Sequence, residues 1–103
     1  TSEELFDKTI DSGFNIMLTD VATDGLGPEW IGKKLSKDNV QEFKRLSKKF
    51  GFDILGEGGY YNTLVTDGPI FNKRIEIINS SKIWDNKTSS GYLEIEEAKL
   101  VPK

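Results

Sequence analysis

Apolar residues recur at helical spacing through Val40, Phe43, Leu46 and Phe50, and the pattern stops at Gly51. Intervals of three and four residues place side chains on one side of an α-helix, and a glycine suits the left-handed position just past its end. Beyond Gly51 the period falls to two, most clearly where Leu93 and Ile95 alternate with Glu94 and Glu96. This change of period commits the second half of the chain to strands. The helix has a plausible start as well, with Ser36 as N-cap and Leu35 placed to staple onto Val40.

The first half holds one more helix and one strand. Ser2 reads as an N-cap, with Glu3 and Glu4 placed favourably in the dipole field of the first turn. Leu5, Phe6 and Ile10 give that helix an apolar side, and Gly13 suits its end. "FNIMLTDV" (Phe14 to Val21) reads as a strand with Phe14, Ile16 and Leu18 on one face. Met17 and Val21 fall on the other parity, which predicts a strand covered on both sides. "ATDGLGP" reads as loop. Later, "FDIL" and "YNTLVT" read as short strands flanking a glycine turn, and "DGP" (Asp67 to Pro69) as a further turn. "KRIEII" (Lys73 to Ile78), "KIW" (Lys82 to Trp84) and "YLEIEEAKLV" (Tyr92 to Val101) read as strands joined by polar turns. The expected fold is a small single α+β domain, with two helices in the first half packed on a largely antiparallel sheet in the second.

The missing residue types narrow the chemistry. None of the 103 residues is cysteine or histidine. Thiolate nucleophiles, disulfides and cysteine-ligated zinc are excluded, as are the commonest general base and the commonest transition-metal ligand. Any catalysis in this chain rests on carboxylates, lysines, arginines, tyrosines, hydroxyls or backbone amides, and no metal-ligating set is read from the sequence. A net charge of -3 argues against a general nucleic-acid surface. The Lys44, Arg45, Lys48, Lys49 run is the one stretch that could supply a basic face, and a solvated helix face explains it more simply. No apolar run approaches the roughly 20 residues of a membrane helix, and no signal pattern opens the chain, so a soluble, cytoplasmic protein is expected. A helix signal directly at Thr1, with no methionine before it, reads as a domain cut from a longer protein.

Two stretches could carry chemistry. "GEGGYYNT" sets Gly56, Gly58 and Gly59 around Glu57, followed by Tyr60, Tyr61, Asn62 and Thr63. Amides exposed by glycine-permitted φ values can form a nest for an anion, and Glu57 could instead hold an ammonium, a metal ion or a ligand hydroxyl. A sharp turn whose glycines serve only geometry explains the pattern equally well. "DGLGPEWIG" (Asp24 to Gly32) encloses Glu29 and Trp30. Burial favours Trp30 as a core anchor over a ligand-stacking platform, and Glu29 gains interest if the loop faces a cleft. "KTSSG" (Lys87 to Gly91) offers hydroxyls that hairpin chemistry accounts for.

In combination and in this order, "GLGPEWIGKKL", "GEGGYYNTLVTDGPIF" and "KIWDNKTSSGYLEIEEAKL" resemble the C-terminal domain of diphthine–ammonia ligase, within the N-type ATP pyrophosphatase group. The resemblance covers nearly the whole chain. It implies a substrate-recognition domain over residues 1–103, paired in the intact ligase with an N-terminal nucleotide-binding domain that carries a Ser-Gly-Gly-Lys-Asp-Ser phosphate loop. No such loop occurs in these residues. The implied reaction uses ATP, with Mg2+, and ammonia to amidate diphthine on translation elongation factor 2, giving diphthamide, AMP and diphosphate. The implied roles put Glu57 at the reacting centre. Gly56, Gly58, Gly59, Tyr60, Asn62, Thr63, Glu29 and Trp30 then bind substrate. A fragment without the phosphate loop is expected to be inactive alone. Three positions depart from the family pattern: Tyr60 stands where an acid is usual, Asn62 at the later position where a second acid or histidine is often found, and Lys33 where an arginine is common. Those departures keep open a non-catalytic ligand- or peptide-binding domain of a diverged paralogue. A tRNA-directed accessory role would require the basic helix face.

Overall fold

Phe43 is the centre around which the chain packs. In the computed structural model, which describes residues 1–103, its ring stacks on Phe6 and meets Trp30, Phe52 and Tyr61 edge-on at centroid distances of 5.3 to 5.6 Å. Such pairs add to the burial of apolar area that drives folding. Two helices, α1 (Ser2–Ile10) and α2 (Val40–Phe50), lie on one face of a four-stranded antiparallel sheet. The strands are β1 (Asn15–Ala22), β2 (Tyr61–Asp67), β3 (Lys73–Asp85) and β4 (Ser90–Pro102), in the order β2-β1-β4-β3. The expected α+β class is what the chain adopts, with the early strand β1 inserted into the middle of the later sheet.

The helix starts differ from expectation by one and three residues. Thr1, not Ser2, caps α1: its Oγ1 accepts the Glu4 N–H at 3.1 Å. At α2, Ser36 opens a turn, and its carbonyl accepts the N–H groups of Asn39 and Val40. Asn39 is the residue at the cap, and its side chain accepts from Ser36 N–H and donates to the Lys34 carbonyl. Gly51 ends α2 in the left-handed conformation, as expected.

A bulge corrects the reading of β1. Leu18 lies opposite Thr63 and Asp20 opposite Asn62, leaving Thr19 as an extra residue in the strand. The extra residue reverses the alternation beyond it. Val21 therefore joins Ile16 and Leu18 on the helix-facing side, where it is 1% exposed, and Asp20 turns to the opposite side. Only Ala22 to Asp20 pair with β4. Along the rest of that edge the segment Gly32 to Leu35 takes over: Gly32 and Leu35 donate to the Leu18 and Ile16 carbonyls, and Leu18 donates to the Lys33 carbonyl. β3 and β4 thus leave the core as a long ribbon.

Two more expectations are revised. "FDIL" forms turns rather than a strand, with Phe52 buried in the core and its carbonyl accepting from Ser47 Oγ at 2.6 Å. The two segments Lys73 to Ile78 and Lys82 to Trp84 are one strand, because the polar residues between them stay in the ladder: Asn79 and Ser81 both reach Glu96 on β4. On α2, Lys44 is not a solvated lysine. Its side chain is 12% exposed and pairs with Asp7 at 2.7 Å and Glu3 at 3.4 Å, tying α2 to α1. The Asp7 hydrogen bond, ahead of the Glu3 bond, raises the Lys44 pKa against the opposing effect of desolvation.

Candidate functional site

The glycine-rich stretch is a compact reversal between α2 and β2. Gly56, Gly58 and Gly59 all adopt positive φ, at 78°, 94° and 82°, where a side chain would be strained. At Gly56 a Cβ would also come within 3.0 Å of the Tyr61 ring. The anion held by the first amides of this loop is the chain's own. Asp53 Oδ2 accepts the N–H groups of Leu55 at 3.0 Å and Glu57 at 3.1 Å, while Gly56 N–H donates to the Asp53 carbonyl. Tyr61 anchors the far side, donating its hydroxyl to the Ile54 carbonyl at 2.6 Å. Burial, aided by the Asp53 charge, pushes its phenol up to about 12. Tyr60 covers Gly58 and meets Phe52 at 6.4 Å between ring centroids. Turn geometry therefore accounts for Gly56 and Tyr61. The Glu57 side chain is exposed and makes no hydrogen bond or ion pair, and nothing lies within 4 Å of the Cβ position at Gly59.

Gly59 opens onto a cavity of about 450 Å³ on the sheet face away from the helices. Strand register explains its floor. Asn62, Asp20, Tyr92 and Ile83 are successive cross-strand partners on β2, β1, β4 and β3, so they form one row across the whole sheet. Directly opposed side chains lie roughly 5 Å apart at Cβ, close enough to act as one surface. The next row brings Ala22, Ser90 and Asp85 together. Asn62 Nδ2 donates to Asp20 Oδ2 at 3.2 Å, and Ser90 Oγ shares a proton with Thr88 Oγ1 at 2.6 Å. Asp85 Oδ1 accepts the Lys87 N–H of the hairpin turn. The β1 bulge is what places Asp20 here. With Thr19 in regular register instead of bulged, Asp20 would point into the core.

The other expected site residues are distributed elsewhere. Thr63 is one residue from Asn62 and thus on the opposite face, where it lines a gap beside Phe6, Ile10 and Tyr61. Trp30 is 4% exposed and packs on Phe43, with Lys33 Nζ 4.8 Å above its ring. Glu29 reaches a different cavity of about 490 Å³, shared with Met17, Lys33, Lys82 and Leu93. Of the expected set, only Gly59 and Asn62 come together in one cavity, and Glu57 is exposed on the adjoining loop. The sequence reading missed Asp20, Asp85 and Tyr92. The single charged residue in the strand "NIMLTDVA" was the available signal for Asp20. No three His, Cys, Asp or Glu side chains are grouped so as to hold a metal ion, and no helix is long and apolar enough to cross a membrane.

Residues 1–101 match the family described as diphthamide synthase C-terminal domain. Among curated proteins, the chain is 40% identical over 83 residues to human diphthine–ammonia ligase, covering 79% of the chain and 30% of that protein. It is 39% identical over 107 residues to the Bos taurus diphthine–ammonia ligase, covering 98% of the chain and 39% of the relative. The Schizosaccharomyces pombe diphthine–ammonia ligase is 36% identical over 93 residues, which is 90% of the chain and 15% of that much longer protein. The chain thus spans well under half the length of these relatives.

Proposed function

The chain belongs to the diphthamide synthase C-terminal domain family, and from that premise we propose that it is the acceptor-recognition domain of an ATP-dependent ligase that amidates diphthine on translation elongation factor 2. The observation that carries the proposal is the placement of the Glu57-Gly58-Gly59 turn at the rim of the open-face cavity, with Gly59 and Asn62 in its lining. In the reaction, the acceptor carboxylate attacks the α-phosphorus of ATP, forming the acyl adenylate and releasing diphosphate. Ammonia then adds to the acyl carbon, and the tetrahedral intermediate expels AMP while nitrogen loses a proton. The exposed Glu57 carboxylate is free to orient ammonia and take that proton. The amides of Gly58 and Gly59, which carry no hydrogen bond within the chain, suit the developing oxyanion, an interaction worth roughly 3 kcal/mol per donor.

The residues here do not fit ATP phosphates or Mg2+. The chain has no Ser-Gly-Gly-Lys-Asp-Ser loop and no grouped metal-ligating side chains. We assign both to a nucleotide-binding domain elsewhere in the ligase, so the isolated domain is expected to be inactive. A cytoplasmic setting follows from the acceptor.

Replacing Glu57 with glutamine in a ligase carrying this domain tests the assignment. Proton-transfer roles are worth roughly 100-fold or more. Amidation should fall by about that factor while the thermal midpoint of the domain stays unchanged, because the Glu57 side chain holds nothing in place. Full activity would remove Glu57 from the mechanism. The second reading, a non-catalytic binding domain of a diverged paralogue, is favoured by Tyr60, whose ring packs on Gly58 and Phe52 where the family has an acid. On that reading a ligase with this domain binds its ligand but does not amidate it.

A further inference from the structure

Nothing in the chain holds the exposed Glu57 side chain, so the backbone alone decides where its carboxylate points. One residue sets that backbone. The N–H groups of Leu55, Gly56 and Glu57 all converge on Asp53: its Oδ2 accepts the first and third at 3.0 and 3.1 Å, and its carbonyl accepts the second at 3.0 Å. Asp53 is itself clamped on both sides. Ser47 Oγ of α2 donates to the Phe52 carbonyl before it, and the Tyr61 hydroxyl donates to the Ile54 carbonyl after it, both at 2.6 Å. Ser47, Phe52 and Tyr61 are all buried, so the clamp is part of the core. The turn is tied down again at its far end, where Ala22 N–H of β1 donates to the Tyr60 carbonyl at 2.8 Å. Gly58 and Gly59, between the two fastenings, keep amides without a partner.

Asp53 does not reach the open-face cavity. It borders a separate depression beside Thr1, Lys44 and Lys48, while Gly59 and Asn62 line the cavity. We infer that Asp53 is a positioning residue for the amidation reaction. It holds the Glu57 amide so that the Glu57 carboxylate stays beside the cavity, and it does so as a hydrogen-bond acceptor rather than as a charge. The inference rests on the proposed role of Glu57 and adds the residue that sets its geometry. The bonds separate acceptor from charge. Oδ2 takes both side-chain bonds, and Oδ1 takes none and meets no cation. An asparagine carbonyl oxygen has two lone pairs and can accept the same two N–H groups. A proton-transferring acid could not be replaced in this way. Loosening the turn acts on turnover, because a misplacement of about 1 Å costs up to roughly 100-fold in rate. Acceptor binding does not pass through Asp53, since Asp20, Asn62 and Tyr92 of the cavity floor are carried by the strands.

The test is steady-state amidation by a ligase carrying this domain, beside amide hydrogen exchange on the labelled 103-residue chain. Asp53→Ala should speed exchange at Leu55 and Glu57 and lower kcat roughly 10–100-fold, with KM for the acceptor unchanged. Asp53→Asn should keep both amides protected and retain most of the parent kcat. Asp53→Glu keeps the charge but moves the oxygen by one methylene. It should behave like Asp53→Ala, and it replaces that variant if the alanine chain does not fold. Combining Asp53→Ala with Glu57→Gln should lose no more than Glu57→Gln alone, because two residues acting through one step are not additive. The inference is overturned if Asp53→Asn loses as much as Asp53→Ala, if KM rises in place of a fall in kcat, or if the single losses multiply in the double variant. The two layers fail separately. Full activity in Glu57→Gln removes Glu57 from the reaction and the role of Asp53 with it. Full activity in Asp53→Ala, in a ligase that does depend on Glu57, removes Asp53 alone.

Discussion

Tyr61 shows how one side chain serves the turn and the core together. Its ring meets Phe43 and Phe52, closes on Gly56, and its hydroxyl reaches the Ile54 carbonyl. Because burial raises the phenol above the unfolded value near 10, ionisation is disfavoured in the fold. The stabilisation is complete below about pH 10 and is lost as pH rises toward 12, a span worth roughly 2–3 kcal/mol. Denaturant melts of Tyr61→Phe should show about 1 kcal/mol less stability at pH 8, from the missing hydroxyl bond, and a flatter decline between pH 10 and 12. An unchanged alkaline slope would mean that another group dominates there. At this scale the sequence was partly legible. Three glycines around Glu57 announced a demanding turn, and positive φ at all three bears that out. That Asp53 fills the first amides was not readable, since "FDIL" looked like a strand and gave no reason to expect its acid to cap a loop.

The elements that define the site face depend on the bulge in β1. Period-two reading put Val21 opposite Leu18, and such counting fails wherever a strand carries an extra residue. Thr19 has no sequence mark, so the fault could only be found from the register with β2. The same bulge hid Asp20, which simple alternation would have placed among the core residues. The long ribbon was missed for a related reason. Asn79, Ser80 and Ser81 look like a turn, yet exposed strands tolerate polar residues when side chains such as Glu96 partner them. Deleting Thr19 removes the extra residue, so strict alternation runs Leu18 inward, Asp20 outward and Val21 inward, the faces they already have. Val21 then keeps the roughly 1.5–3 kcal/mol that its burial contributes. We expect the deletion to retain a cooperative thermal transition by circular dichroism. Its loss would show that the local twist of the bulge is itself needed to close the sheet.

For the whole molecule, fold class was the most legible property. Helical spacing through Phe50 and alternation after it dictated two helices on an antiparallel sheet, and this arrangement follows from burying both apolar faces in one core. The proposed functional surface was far less so, because it is assembled by register across all four strands rather than by any contiguous motif. The basic run on α2 shrinks once seen in three dimensions. Lys44 is committed to Glu3 and Asp7, and Arg45 to Glu42, which leaves Lys48 and Lys49 as its only unpaired cations. That face offers little to a nucleic acid, and on the proposed function the open sheet face is the one given to a protein acceptor. The measurement that tests this most directly is an amide-shift titration of the labelled chain with elongation factor 2 carrying diphthine. The account predicts shifts confined to Gly56–Thr63 and to Asp20, Ser90 and Tyr92, reduced by Tyr92→Leu. Shifts centred on α2, or none at concentrations that saturate an intact ligase, would contradict it.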